Sequence, residues 1–192
     1  MTTEDRRDRS ISTLPDGLWT QPTPSVPVDL GDDPVRRQVV PAAMRYNYSP
    51  GLASTRFLRG LAEKRFLGER CPETGEVYIP PRGVSPVSGL PTTEQVEVGP
   101  KATITSFCVV HIGFGVNAPP TPFVSALFLP DGAAVSLYGT MGEVPHDEVR
   151  IGMRVEPVWV DDDQLTESME NIRYWRPIDE PDVPAEQLKG HM

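Results

Sequence analysis

The chain has 192 residues, with 18 Lys and Arg against 27 Asp and Glu, a formal charge of -9 when the three His are neutral. That length builds one ordinary domain or two small ones without disulfide staples, and with Cys71 and Cys108 as the only cysteines a disulfide framework is excluded. No apolar run is long enough to span a membrane, and the opening MTTEDRRDRS, with six charges among ten residues, has no secretory leader in it, so a cytoplasmic protein is expected.

The acidic excess sits in one half. Residues 1–101 hold 13 basic and 13 acidic side chains, whereas residues 102–192 hold 5 and 14. Phosphate backbones are gripped mainly by Lys and Arg, so the second half is a poor nucleic-acid surface. With 22 Pro and 16 Gly, the composition stays below the range of wholesale disorder and predicts a folded body with extended ends.

Residues 1–44 carry six prolines and no apolar period, and read as an extended N-terminal arm: either a disordered leader or a strap ordered along a partner, which Leu18 and Trp19 favour as apolar anchors. In residues 52–64, LASTRFLRGLAEK, the spacing of Leu52, Phe57, Leu58 and Leu61 predicts one short amphipathic helix. Six basic residues between Arg45 and Arg70 face only Glu63 and Glu69, a local excess of +4 in an acidic protein. Such an island suits an anionic ligand or an acidic partner, or is a solvated helix face.

Cys71-Pro72-Glu73-Thr74-Gly75 is echoed by Ser85-Pro86-Val87-Ser88-Gly89. Both read as a ligand, Pro, any residue, a ligand and Gly, the form of a zinc knuckle, with ten residues separating Thr74 from Ser85. Three of the four ligand positions are hydroxyls, which are poor zinc donors beside thiolates, so no metal is expected at Cys71, Thr74, Ser85 and Ser88. Turn amides donating to those hydroxyls are expected to hold the ribbon instead.

Residues 102–130 contain no Asp, Glu, Lys or Arg over 29 positions. Their β-branched and aromatic content predicts strands at about 102–112, 122–129 and 133–139, with Pro130-Asp131-Gly132 as a turn, followed by strands at 149–160 and 172–178. Five strands without an intervening long helix predict a small barrel or sandwich, and charge-free strands predict an apolar surface offered to a protein partner.

Catalytic chemistry is thin. His111, His146 and His191 lack metal or triad spacing, Cys108 lies in an apolar strand, Gly113-Phe114-Gly115 lacks the context of a phosphate loop, and Asp161-Asp162-Asp163 lacks calcium-loop spacing. No catalytic residues are assigned. Tyr174-Trp175 between Arg173 and Arg176 is the one stacking candidate for single-stranded nucleic acid, the alternative function for a small barrel; an enzyme acting alone is a third.

The run Arg56-Phe57-Leu58-Arg59-Gly60-Leu61, the Cys71–Gly75 knuckle, the Pro80-Pro81-Arg82 step, the Ser85–Gly89 knuckle and the strands after Ala102 resemble, over about residues 45–160, the acyl-CoA-associated OB-fold proteins with a rubredoxin-like zinc ribbon. The resemblance implies a mainly β fold: a helix and degenerate ribbon over 45–95, an OB-fold barrel over 96–178 and a tail over 179–192. It also implies a non-catalytic subunit, in a hetero-oligomer with a thiolase-like or retro-aldolase chain, supporting assembly and access of a CoA thioester in steroid side-chain or fatty-acid-like breakdown. No tightly bound cofactor and no membrane are implied. Arg56, Phe57, Arg59, Tyr78, Pro80 and Arg82 are the expected contacts to CoA or to the partner.

Overall fold

A computed structural model describes residues 48–113 and 119–191. The expected N-terminal arm, with Leu18 and Trp19, lies outside the described residues, as do Arg45 and most of Gly113-Phe114-Gly115.

Helix α1 spans Gly51–Ala62 and buries Phe57, Gly60 and Leu61, an i, i+3, i+4 stripe. It ends two residues before the expected boundary because Lys64 turns into the left-handed region at φ 58°, while the Glu63 and Arg65 amides both bond the Gly60 carbonyl. Gly60 is required by close approach: a Cβ there would lie 2.8 Å from Leu67 Cγ and 3.0 Å from the Arg65 carbonyl oxygen.

Strands β1 (Phe66–Arg70), β2 (Val77–Tyr78) and β3 (Glu94–Val98) form an antiparallel ribbon in the order β2-β1-β3. Strands β4 (Ala102–Val110), β5 (Phe123–Pro130), β6 (Leu137–Thr140), β7 (Arg154–Trp159) and β8 (Ile172–Pro177) form a second sheet in the order β6-β5-β4-β7-β8. Bulges at Ile104/Ser106 and Val158/Trp159 help that sheet to curl. Its edges meet through a single parallel bridge, Met141 to Trp175, with the Gly142 amide donating to the Trp175 carbonyl at 2.8 Å. Among the described residues the fold is thus mainly β, with one short α-helix and an OB-fold sheet whose seam closes at one point rather than along a continuous ladder.

Two expected strands start later than their composition suggested. Residues 133–136 are drawn aside where the Ala134 amide bonds the Val77 carbonyl of the ribbon at 2.8 Å. Residues 149–153 form a turn, with Gly152 at φ 90° and its amide bonded to the Ile104 carbonyl at 2.8 Å.

One core serves both sheets. Trp175 of β8 stacks on Phe128 of β5, centroids 4.7 Å apart, and on Phe66 of β1 at 6.0 Å, and Phe66 also meets Trp159 at 5.4 Å. Such offset aromatic contacts add about 1 kcal/mol each to the burial of the rings. The boundary expected between residues 95 and 96 lies inside β3, which pairs along its length with β1. The segment after Ile178 is anchored: Leu188 is buried, the Val183 amide bonds the Gly152 carbonyl at 2.8 Å, and Arg150 pairs with Asp182 at 2.9 Å.

Among the described residues, no helix is long and apolar enough to cross a membrane.

Candidate functional site

The twin turns are two copies of one hydrogen-bonded loop. The Cys71 amide bonds the Glu76 carbonyl and the Gly75 amide bonds the Cys71 carbonyl, at 2.8 and 2.9 Å; the Ser85 amide bonds the Leu90 carbonyl and the Gly89 amide bonds the Ser85 carbonyl at the same two distances. Gly75 and Gly89 take φ of 75° and 71°, the left-handed conformation that closes each loop and that glycine adopts without strain.

Between the loops, Cys71 Sγ and Ser85 Oγ hydrogen-bond across 3.1 Å, both buried. The Val87 and Ser88 amides donate to Ser85 Oγ at 3.3 Å, the Leu90 amide to Ser88 Oγ at 3.4 Å, the Glu76 amide to Thr74 Oγ1 at 3.3 Å and the Thr74 amide to Cys71 Sγ at 3.4 Å. Hydroxyls therefore accept the turn amides, as expected from the sequence. The donor set does not fit a structural zinc ion, which calls for about four thiolates or imidazoles: here one thiol faces hydroxyls already committed to amides, and among the described residues no group of three or more His, Cys, Asp and Glu could hold a metal. The Ser85 hydroxyl, followed by the Thr74 hydroxyl and amide, stabilises the Cys71 thiolate against the opposing effect of burial and lowers its pKa to about 6.

The five basic residues of the island that are described each face a carboxylate of this chain. Arg56 faces the buried Glu69 at 3.8 Å, Arg59 meets Glu167 at 3.4 Å, Lys64 meets Asp162 at 2.5 Å, Arg65 meets Glu97 at 2.7 Å and Arg70 meets Glu94 at 3.1 Å. Glu69 also accepts from Thr92 Oγ1 at 2.7 Å. Arg56 and Arg59, expected contacts to CoA or to the partner, both lie on the helix surface, each turned toward a carboxylate of this chain. Phe57, by contrast, is 1% exposed and packs in the core, so it offers no surface for the expected contact.

Tyr78, Pro80 and Arg82 come together. With Val84, Pro86 and Val135 they line a cavity of about 400 Å³ beside the start of α1. Ser54 donates to the Pro81 carbonyl at 3.2 Å, fixing the helix to the Pro-Pro step, and Tyr78 donates its phenol to Glu76 at 2.6 Å, which raises the Tyr78 pKa. Arg82 is exposed and, among the described residues, makes no ion pair or hydrogen bond.

The charge-free stretch shapes the other distinctive surface. Register places Ser106 opposite Leu127, Cys108 opposite Ser125 and Leu127 opposite Tyr138. Ser106, Cys108, Ser125, Leu127 and Tyr138 line a shallow depression of about 170 Å³ without an ionisable Asp, Glu, Lys or Arg among them. Tyr138 is 69% exposed and its hydroxyl lies 2.6 Å from Ser125 Oγ.

The nucleic-acid candidate does not survive the packing. Trp175 is a core residue, Tyr174 donates to Glu143 at 2.6 Å, and Arg176 pairs with Glu156 at 2.7 Å, so no stacking platform is offered there. His111 and His146 approach ring to ring at 6.2 Å, a pairing the sequence did not suggest.

Two interior groups escaped sequence reading. Arg154 is buried and makes a two-pronged contact with Asp131 at 2.7 and 2.6 Å, while also donating to Thr103 at 2.8 Å and Glu180 at 3.1 Å. Asn171, also buried, donates to the Leu61 carbonyl at 3.1 Å and accepts from the Thr166 amide at 2.9 Å, clipping the end of α1 to the loop before β8. Arg154 has a sequence signal, a charge between Met153 and Val155, but Asn171, between Glu170 and Ile172, has none.

Sheet order and seam define an OB-fold protein joined to a small three-stranded antiparallel ribbon. More particularly, residues 95–160 match the family model described as ChsH2, C-terminal OB-fold domain. A DUF35 domain-containing scaffold protein of Methanocaldococcus jannaschii is 30% identical over 95 residues, 48% of this chain and 66% of that protein. A crystal structure of a DUF35-family protein of unknown function from Sulfolobus solfataricus aligns at TM-score 0.52 and 17% identity, covering 67% of this chain and 87% of that one. A chain of the Ltp2-ChsH2(DUF35) aldolase aligns at TM-score 0.50 and 23% identity, covering 72% and 98%. At such identities the two structures bear on the fold alone.

Proposed function

We propose that this chain is a non-catalytic, cytoplasmic subunit of a thiolase-like or retro-aldolase complex acting on acyl-CoA thioesters, in steroid side-chain or fatty-acid-like breakdown. The observation that carries the reading is the uncharged outer face of β4, β5 and β6, where Tyr138 and Leu127 stand exposed on a strongly acidic protein. An apolar patch ringed by polar sheet positions is what a docking subunit presents. The curated relative supports the same reading by its description as a scaffold protein, and the chain of the Ltp2-ChsH2(DUF35) aldolase shares the fold. In this role the partner supplies the reacting groups, while Tyr78, Pro80 and Arg82 lie where the CoA thioester passes.

The test is reconstitution. A tagged full-length chain is expected to retain a thiolase-like subunit, and cleavage of acyl-CoA is expected only when both chains are present. A monodisperse monomer that retains no such subunit, or full activity from either chain alone, contradicts the proposal.

A further inference from the structure

The cavity beside the start of α1 has walls and a charge that specify a ligand class. Pro80, Val84, Pro86 and Val135 give it an apolar lining, and its volume of about 400 Å³ falls within the range of small-molecule sites. Its polar side chains are not equivalent. Ser54 is spent on the Pro81 carbonyl and the Tyr78 phenol on Glu76. Arg82 is left with its guanidinium unengaged, although Arg56, Arg59, Lys64, Arg65 and Arg70 each face a carboxylate of this chain. In a protein with nine more acidic than basic side chains, an arginine left unpaired at the edge of an apolar cavity is complementary to an anion brought from outside.

We propose that this cavity is a binding site for an apolar arm ending in an anion, a phosphate ester or a carboxylate, with Arg82 holding the anion and the Pro80–Pro86 wall holding the arm. The inference rests on the acyl-CoA reading and narrows it. The ligand meets this chain at the ribbon, whereas Arg56 and Arg59 face carboxylates of the chain itself. Two sources offer the shared chemistry: the phosphopantetheine arm of CoA, and the free carboxylate of a released acyl chain.

Isothermal titration of the full chain with 4′-phosphopantetheine, octanoate and uncharged pantetheine separates them. One of the two anions is expected to bind at least about tenfold more tightly than pantetheine, the preference given by one charge-assisted contact. Arg82→Gln is expected to remove that preference, and Val135→Trp, which fills the cavity, to remove binding. Arg59→Gln, at an exposed pair, is expected to change neither, and unaltered melting temperatures show that each variant is folded. Equal binding of all three probes, an Arg82→Gln variant that keeps the preference, or no binding of any probe overturns the inference. Retention of the thiolase-like subunit is scored separately: a complex that forms while no probe binds removes this site alone, and probes that bind a chain lacking any partner remove the subunit reading alone.

Discussion

Cys71 is where burial and hydrogen bonding oppose each other most directly. A thiol packed in an apolar ribbon is ordinarily harder to ionise, but the hydroxyls of Ser85 and Thr74 lower its pKa from the usual 9.0 to about 6. A group whose folded pKa is depressed adds stability that is complete above its unfolded pKa and is lost as pH falls through the folded one. The chain is therefore expected to gain stability from this group as pH rises from about 6 to about 9. In a Cys108→Ser background, which removes the exposed thiol, thiolate absorbance near 240 nm should titrate close to pH 6 and vanish in the further variant Cys71→Ser. A midpoint near 9 contradicts the hydrogen-bonded arrangement. Arg154 makes a second case, since its removal leaves Asp131 and Glu180 facing each other without their shared cation. Because Asp131 is half exposed, Arg154→Met is expected to cost on the order of 2 kcal/mol, below the usual loss for a fully buried pair, and thermal unfolding measures it. A change under about 0.5 kcal/mol shows that water replaces the pair.

Among the elements, α1 depends on its far end more than on its own propensity. No side chain caps its start, and a helix of 12 residues is marginal by itself. Asn171, from the loop before β8, secures the Leu61 carbonyl at the other end. Replacing it by Ala removes its bonds to the Leu61 carbonyl, which keeps the Lys64 amide at 3.1 Å, and to the Thr166 amide, and about 1 kcal/mol of stability is expected to be lost. Hydrogen exchange should show the loss first at α1; protection that falls uniformly across the chain contradicts the local role. At Gly60, helix propensity alone favours Ala by about 1 kcal/mol, but the Arg65 carbonyl at 3.0 Å is backbone and moves little. Gly60→Ala is thus expected to lower the melting temperature rather than raise it.

The same elements show what the sequence could convey. Helix and strands were readable because their periods are local: Phe57 and Leu61 mark one helix face, and the β-branched run after Ala102 marks β4. The paired turns were readable because Pro and Gly recur at fixed offsets. The charge pairing was not. Lys64 finds Asp162 and Arg59 finds Glu167 about a hundred residues away, so cations that read as part of a +4 island are paired in the folded chain. Nor was the side of β8 that faces inward: Tyr174 and Trp175 are adjacent, and only the stack of Phe66 and Phe128 decides that Trp175 enters the core.

At the scale of the whole molecule, ribbon and OB-fold sheet share one core, and the ribbon is held by hydroxyls where a metal would suit thiolates. Added zinc is expected to leave the melting temperature unchanged, and a strong chelator likewise; a rise of several degrees with zinc contradicts the donor chemistry at Cys71, Thr74, Ser85 and Ser88. The OB-fold sheet meanwhile leaves the uncharged face of β4, β5 and β6 to solvent. The measurement that tests this account most directly is the affinity of the full chain for the proposed thiolase-like subunit, compared between the wild type and Tyr138→Asp at matched melting temperatures. A central aromatic contact is worth about 2 kcal/mol, so the variant is expected to bind at least about 30-fold more weakly. Unchanged affinity in Tyr138→Asp contradicts the claim that this face is the docking surface.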